Sequence, residues 1–178
     1  MHDITELALR ARDGDQEALH DLIHGTISDI HRFCGALVDA QSAEDLTQQT
    51  YLKAIQSLRR YRGEAPASAW LLSIARHTCI DEIRRRQRRR DLEVPGLTIE
   101  PTPHNDHAER VTIDAAINDL EPQRREVFVA TQVIGLTYEE TAEVLKIPVG
   151  TVRSRVYRAR IDLMRALEPT LRSDSVTS

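Results

Sequence analysis

The chain has 178 residues, a formal net charge of -4, two cysteines, 40% hydrophobic residues and only 4% aromatic ones. Two cysteines exclude a disulfide framework of the secreted kind. No stretch reaches the ~18 apolar residues of a membrane span, and the opening MHDITELALRARDGD lacks the basic start and apolar run of a signal peptide. The expectation is a cytoplasmic protein with no membrane insertion, built as one ordinary domain or two small ones around a core of Leu, Ile, Val and Ala.

Residues 3–38 read as two helices broken near Asp13-Gly14-Asp15, with Leu7, Ala11, Leu19, Leu22, Ile23, Ile27 and Ile30 at helical spacing. Ser42-Ala-Glu-Asp45 has the form of a capping box opening a third helix over 43–58. Tyr51, Ile55 and Leu58 fall at i, i+4 and i+7 on its inner face. A turn at Arg62-Gly-Glu-Ala-Pro66 leads to a fourth helix over 67–89, carrying Trp70, Leu71, Ile74, Ile80 and Ile83. Residues 91–107 contain Pro95, Gly96, Pro101 and Pro103 and show no helical period, so they read as a flexible linker. Helical pattern resumes at Ala108 and breaks at Leu120-Glu-Pro122, where Pro122 suits the first turn of a helix that ends near Gly135. With no strand alternation and no repeat, the predicted fold class is all-α. It divides into two small helical domains, 1–90 and 108–172, with a disordered tail at 173–178.

The charge is unevenly distributed. Residues 1–58 carry a net -6, 59–90 a net +7, 91–122 a net -7 and 123–172 a net +3. Two basic blocks between acidic ones suit a protein that touches a polyanion at two places. Arg84-Arg-Arg-Gln-Arg-Arg-Arg90 closes the first block, and six arginines in seven residues repel one another unless anions are near. A phosphate backbone is the obvious counter-charge; a solvated run is the plain alternative. Upstream, Tyr61 and Trp70 could stack on unpaired bases, or Trp70 could simply pack in the core beside Leu71 and Ile74.

The strongest local signal lies at 135–164. Thr137-Tyr-Glu-Glu140 is a capping box opening a short helix, Tyr138 to Leu145. A break at Lys146-Ile-Pro-Val-Gly150 precedes a second helix to about Ala166, which together outline a helix-turn-helix. At about 100° per residue, Val152, Val156, Ala159 and Leu163 form a buried stripe, with Ser154, Tyr157 and Arg158 opposite and Arg153 and Arg155 at the flanks. Such a face offers donors to phosphates and to guanine edges in a major groove. His20, His24, His31 and Cys34 share one stretch, but no second ligand cluster accompanies them, so no metal or cofactor is expected. No Gly-rich phosphate loop, GxSxG or paired-carboxylate motif suggests an enzyme.

These segments resemble a known family. EDLTQQTYLKAIQSL is similar to sigma factor region 2.2, RYRGEAPASAWLLSIARHTCIDEIRRR to regions 2.3 and 2.4, and LEPQRREVFVATQVIGLTYEETAEVLKIPVGTVRSRVYRARIDLM to region 4. The two-domain layout, without region 1.1 or region 3, resembles the extracytoplasmic-function group. The resemblance implies that Asp45, Leu46, Gln48, Gln49 and Lys53 grip core RNA polymerase. It implies that Tyr61, Trp70, His77, Asp81, Arg84 and Arg85 engage the -10 element of promoter DNA. It assigns the -35 element to Thr151, Arg153, Ser154, Tyr157 and Arg158, and implies a cognate anti-sigma factor. One departure is Ala67, beside Pro66, where the family often has an aromatic residue. The competing reading is a helix-turn-helix regulator with an N-terminal sensing or dimerisation domain.

Overall fold

The computed structural model describes residues 3–92 and 113–173, all of the regular structure being helical. Helix α1 (Ile4–Arg12) begins where the Asp3 side chain accepts from Thr5 N at 2.9 Å, and α2 (Gln16–Leu37) where the Asp15 side chain accepts from Ala18 N at 3.0 Å. Between them Gly14, at φ +104°, supplies a turn that a side chain would strain. Asp39 then caps a 3₁₀ turn, Ala40–Ser42, by accepting from Ser42 N at 2.8 Å. Helix α3 (Ala43–Ser57) follows directly and runs into a second 3₁₀ turn, Leu58–Arg60. The capping box expected at Ser42 does not form. Its hydroxyl makes no cap bond and instead accepts from the Arg86 guanidinium, while Asp39 provides the cap one turn earlier.

Helix α4 (Ala67–Leu92) begins at the predicted residue and continues slightly past the predicted end. Phe33, Leu71 and Leu72 lie fully inside the packing of α1, α2, α3 and α4. In the second half, α5 (Ile113–Asn118) precedes α6 (Pro122–Phe128), whose first residue is the proline that the sequence placed there. The expected single helix up to Gly135 widens into a π turn at Val129–Val133. Ile134 N donates five residues back to Val129 O at 3.0 Å, and the Thr131 hydroxyl donates to Val127 O at 2.8 Å. Helix α7 (Tyr138–Leu145) and helix α8 (Val149–Ser173) complete the fold.

The two halves touch. Helix α6 packs on α2 and α7 on α4, and Val127 and Val144 belong to the same apolar cluster as Phe33 and Leu72. Across this seam Arg76 Nε donates to Glu126 Oε1 at 2.8 Å. A smaller cluster of Ala116, Leu120, Ala159 and Leu163 fixes α5 against α8. Of the expected linker and of the resumption at Ala108, residues 93–112 lie outside the described residues, as do 174–178 of the expected tail; Ser173 is the last residue of α8.

Candidate nucleic-acid interface

Helix α3 presents a polar face to solvent. Asp45, Gln48, Gln49 and Lys53 are all exposed. Leu46 does not share that face: it is 2% exposed and packs into the core, which corrects its expected place on a binding surface. Leu52 stands on that face instead. It is 61% exposed and lies four and three residues after Gln48 and Gln49, hence between them on the helix surface. Ile55, expected inside, is 44% exposed beside it. The helical wheel already held this signal, because position 52 falls in the middle of the polar residues. Lys53 is held from one side, its Nζ donating to Thr78 Oγ1 at 3.1 Å and lying 3.7 Å from Asp81 Oδ2 on α4.

The loop before α4 folds inward. Tyr61 is 6% exposed, its hydroxyl donates to Ala65 O at 2.6 Å, and its ring lies 4.8 Å from that of Trp70 at 33°. Burial pushes the Tyr61 phenol up. Gly63, at φ +75°, sits where an added Cβ would meet Leu9 Cδ2 at 3.3 Å, so this turn needs glycine for both conformation and space. Ala67 is fully buried and its N–H donates to Thr5 Oγ1 at 3.2 Å; α1 fills the room that an aromatic side chain there would require. A cleft of about 340 Å³ is walled by Tyr61, Arg62, Trp70 and Ser73 on one side and by Glu143, Val144 and Lys146 of α7 on the other.

Farther along α4, His77 is exposed and its Nδ1 lies 2.6 Å from Ser73 O. That carbonyl can only accept, so Nδ1 carries a proton and donates it back along the helix, which turns the Nε2 edge outward. Asp81 is exposed apart from its approach to Lys53. Among the arginines, Arg85 Nε donates to Glu82 Oε2 at 2.8 Å. Arg86 bonds Glu82 at 2.7 Å and Asp39 at 2.5 Å, as well as Ser42. Arg86, through that hydrogen bond, and then Arg85 hold the Glu82 carboxyl below its usual range. Arg86 therefore fastens α4 to the α2–α3 corner. Arg84, Arg88, Arg89 and Arg90 are exposed and form no ion pair among the described residues.

The helix-turn-helix forms as the spacing predicts. Thr137 Oγ1 accepts from Glu140 N at 3.1 Å and Glu140 Oε2 accepts from Thr137 N at 2.8 Å, closing the capping box. Lys146 ends α7 in the left-handed region at φ 57°. Val152, Val156 and Ala159 are at most 1% exposed and Leu163 is 8% exposed, which makes the buried stripe. Opposite it Arg153, Ser154, Tyr157 and Arg158 are exposed, Tyr157 at 66%. Thr151 is half-buried at the edge, its carbonyl accepting from Ser154 Oγ at 3.0 Å. Arg155 and Arg160 are engaged elsewhere, bonding Gln123 and, at 2.6 Å, Gln132.

Comparison with known proteins bears on both halves. Residues 17–89 match the family model for sigma-70 region 2, and residues 110–163 match sigma-70 region 4. The ECF RNA polymerase sigma factor SigC of Mycobacterium tuberculosis is 41% identical over 171 residues, covering 93% of this chain and 92% of that protein. The chain belongs to the extracytoplasmic-function sigma factors of the sigma-70 family. The RNA polymerase sigma-H factor of Pseudomonas aeruginosa is 33% identical, covering 94% of this chain and 95% of that protein. Among solved structures, the sigma factor RpoE of Bartonella quintana, crystallised with the anti-sigma factor NepR, aligns with a TM-score of 0.69 and 25% identity. That match covers 84% of this chain and 96% of the other.

In this sigma factor region 2 thus spans α2, α3 and α4, and region 4 spans α5 through the helix-turn-helix. The structure gathers Asp45, Gln48 and Gln49 on one face and Arg153, Ser154, Tyr157 and Arg158 on another. It brings Tyr61 and Trp70 together but turns Tyr61 into the protein. Lys53 and Asp81, expected on separate surfaces, meet each other instead. Among the described residues no group of three or more His, Cys, Asp or Glu side chains could hold a metal, and no helix is long and apolar enough to cross a membrane. His20 and His24 stack with ring centroids 6.2 Å apart.

Proposed function

We propose that this sigma factor docks on core RNA polymerase through the outer face of α3 and reads a promoter at two places. The polymerase surface comprises Asp45, Gln48, Gln49 and Lys53, with Leu52 as its apolar centre in place of Leu46. The -10 strand is engaged by Trp70, His77, Asp81, Arg84 and Arg85, and by Tyr61 once it is uncovered. The -35 element is read in the major groove by Arg153, Ser154, Tyr157 and Arg158, positioned by Thr151. The observation that carries this reading is the α8 face: four exposed polar side chains backed by an almost fully buried apolar stripe, on a closed capping-box helix-turn-helix. Those side chains serve no packing role, and their donors match base edges and phosphates.

A helix-turn-helix regulator would account for α7 and α8 alone; the α3 face and the region 2 match favour the polymerase reading. The domain limits proposed are 1–90 and 108–172. The protein acts in the cytoplasm, and an anti-sigma factor holds it when it is inactive, as the complex of the Bartonella quintana relative suggests. Run-off transcription with core enzyme on a randomised promoter library tests the function. Enrichment of a two-element consensus is expected; uniform recovery of sequences would defeat the reading.

A further inference from the structure

Two histidines on α2 belong to none of the surfaces assigned above. His20 and His24 stand one helical turn apart and are both exposed. Their ring centroids are 6.2 Å apart and their planes lie 24° from parallel. Neither ring forms a hydrogen bond or an ion pair among the described residues. The helix beneath them is held firmly. Asp15 caps it by accepting from Ala18 N at 3.0 Å, and Ala18, Leu22 and Thr26 bury its opposite face. Two imidazoles at i, i+4 on one helix face can bind a single metal ion through one nitrogen each. Metal–nitrogen bonds of about 2.0–2.1 Å put the centres of two such rings roughly 4.5–6.5 Å apart, according to the angle at the ion. The observed separation lies within that span, so rotation of the two side chains is enough to aim a nitrogen of each at one point.

We propose that His20 and His24 chelate one divalent transition-metal ion of the class that prefers imidazole – nickel, copper or zinc – on the outer face of α2. Glu17 and Asp21 are exposed beside the pair, each three residues before one of the histidines, and residues 1–58 carry a net -6, so the surroundings draw a cation in. Among the described residues no third His, Cys, Asp or Glu side chain completes the set. Water fills the remaining positions, and the ion exchanges readily, unlike one held by the four protein ligands of a structural site. Copper binds more tightly than nickel or zinc, while magnesium and calcium, which favour oxygen ligands, are not held. The two nitrogens converge only while α2 is helical, so the ion stabilises the folded chain. His31 is exposed too, but it lies two turns beyond His24, about 10 Å along the axis, and does not share the ion.

The test is a calorimetric titration of nickel chloride into the full chain, prepared without an affinity tag. One ion should bind per chain. Saturating nickel should raise Tm by several degrees, and the same concentration of magnesium chloride should leave it unchanged. His20→Ala and His24→Ala should each weaken binding at least tenfold and remove the Tm shift, with the metal-free Tm preserved because both side chains are exposed. His31→Ala, and His104→Ala combined with His107→Ala, should bind nickel within twofold of the unaltered chain. A measurement on the unaltered chain reads the same site: substoichiometric copper should broaden the ring resonances of His20 and His24 before those of the other histidines. A nickel dissociation constant weaker than about 1 mM would overturn the proposal. So would full affinity in both the His20→Ala and the His24→Ala proteins, or one ion shared between two chains.

Discussion

Replacing Glu126 by Gln should loosen the seam that covers Tyr61 and Trp70. The Arg76 and Glu126 side chains are 22% and 15% exposed and meet at 2.8 Å, so water screens them only in part. A hydrogen bond to a charged group contributes on the order of 1.5–3 kcal/mol when sheltered, and an exposed ion pair usually less than about 1. An amide at 126 still accepts one bond, which puts the loss near 1 kcal/mol, roughly a fivefold change in the ratio of closed to open forms. Trp70 reports it directly, because it is the chain's single tryptophan and lines the cleft facing α7. The Glu126→Gln protein should show red-shifted emission and stronger quenching by acrylamide. It should also bind a single-stranded -10 oligonucleotide several-fold more tightly without core enzyme. Raising salt should move the wild type in the same direction, since screening acts over about 10 Å at 0.1 M. Arg76→Gln should open the seam equally but gain less affinity, having lost a cation that DNA could use. If Trp70 quenching and oligonucleotide affinity both stay within twofold of wild type in Glu126→Gln, the pair does not hold the halves together and the reasoning fails.

On α3, Leu52→Asp should weaken core polymerase binding at least tenfold with Tm unchanged, whereas Leu46→Ala should cost about 2–5 kcal/mol of stability through the cavity it leaves; equal Tm losses would refute the assignment of faces. On α8, Arg153→Ala or Arg158→Ala should cost about 1–3 kcal/mol and relax preference at one -35 base if the guanidinium grips guanine. If it meets only phosphate, the salt slope should fall by about one. Val156→Asp should unfold the helix-turn-helix outright, as circular dichroism would show. Thr141 Oγ1 is buried without a hydrogen-bond partner among the described residues, so Thr141→Val should raise stability by about 1 kcal/mol in urea denaturation. Burial pushes the Tyr51 phenol up to about 12, while its hydroxyl donates to Thr26 Oγ1 at 2.7 Å. The unfolded chain releases this proton near pH 10 and the folded one does not. Stability should therefore be intact below that pH and fall by about 1.4 kcal/mol per unit between 10 and 12; Tyr51→Phe should flatten that limb.

The parts legible in the sequence were those set by local chemistry. Thr137 and Glu140 satisfy each other within one turn, Pro122 starts a helix by its own φ, and the Val152–Val156–Ala159–Leu163 stripe follows from helical spacing alone. Features set by partners distant in the chain were not. Ser42 has the residues for a cap, yet Arg86, 44 positions away, takes its hydroxyl. Ile55 keeps the inner-face spacing and lines a small gap with Leu19, Leu22 and Leu71, yet it is 44% exposed, because it sits at the edge of the packing. Tyr61 and Trp70 were read as aromatics that could stack on bases, and only tertiary structure shows that their rings meet each other and line a cleft facing α7.

Charge shows the same division, with a consequence for DNA affinity. The Arg84–Arg90 run carries six cations in sequence, but Arg86 is spent on Asp39, Glu82 and Ser42, and Arg85 is shared with Glu82. Arg84, Arg88, Arg89 and Arg90 remain exposed along the C-terminal part of α4. On α8, Arg155 and Arg160 likewise turn back to Gln123 and Gln132, leaving Arg153 and Arg158 outward. Two of the six arginines in the first run and two of the four at 153–160 are thus held by neighbouring side chains, and the others face outward. Because affinity for a phosphate backbone scales with the number of phosphates neutralised, the salt dependence of promoter binding should reflect the free set, and a count of arginines in the sequence overstates it.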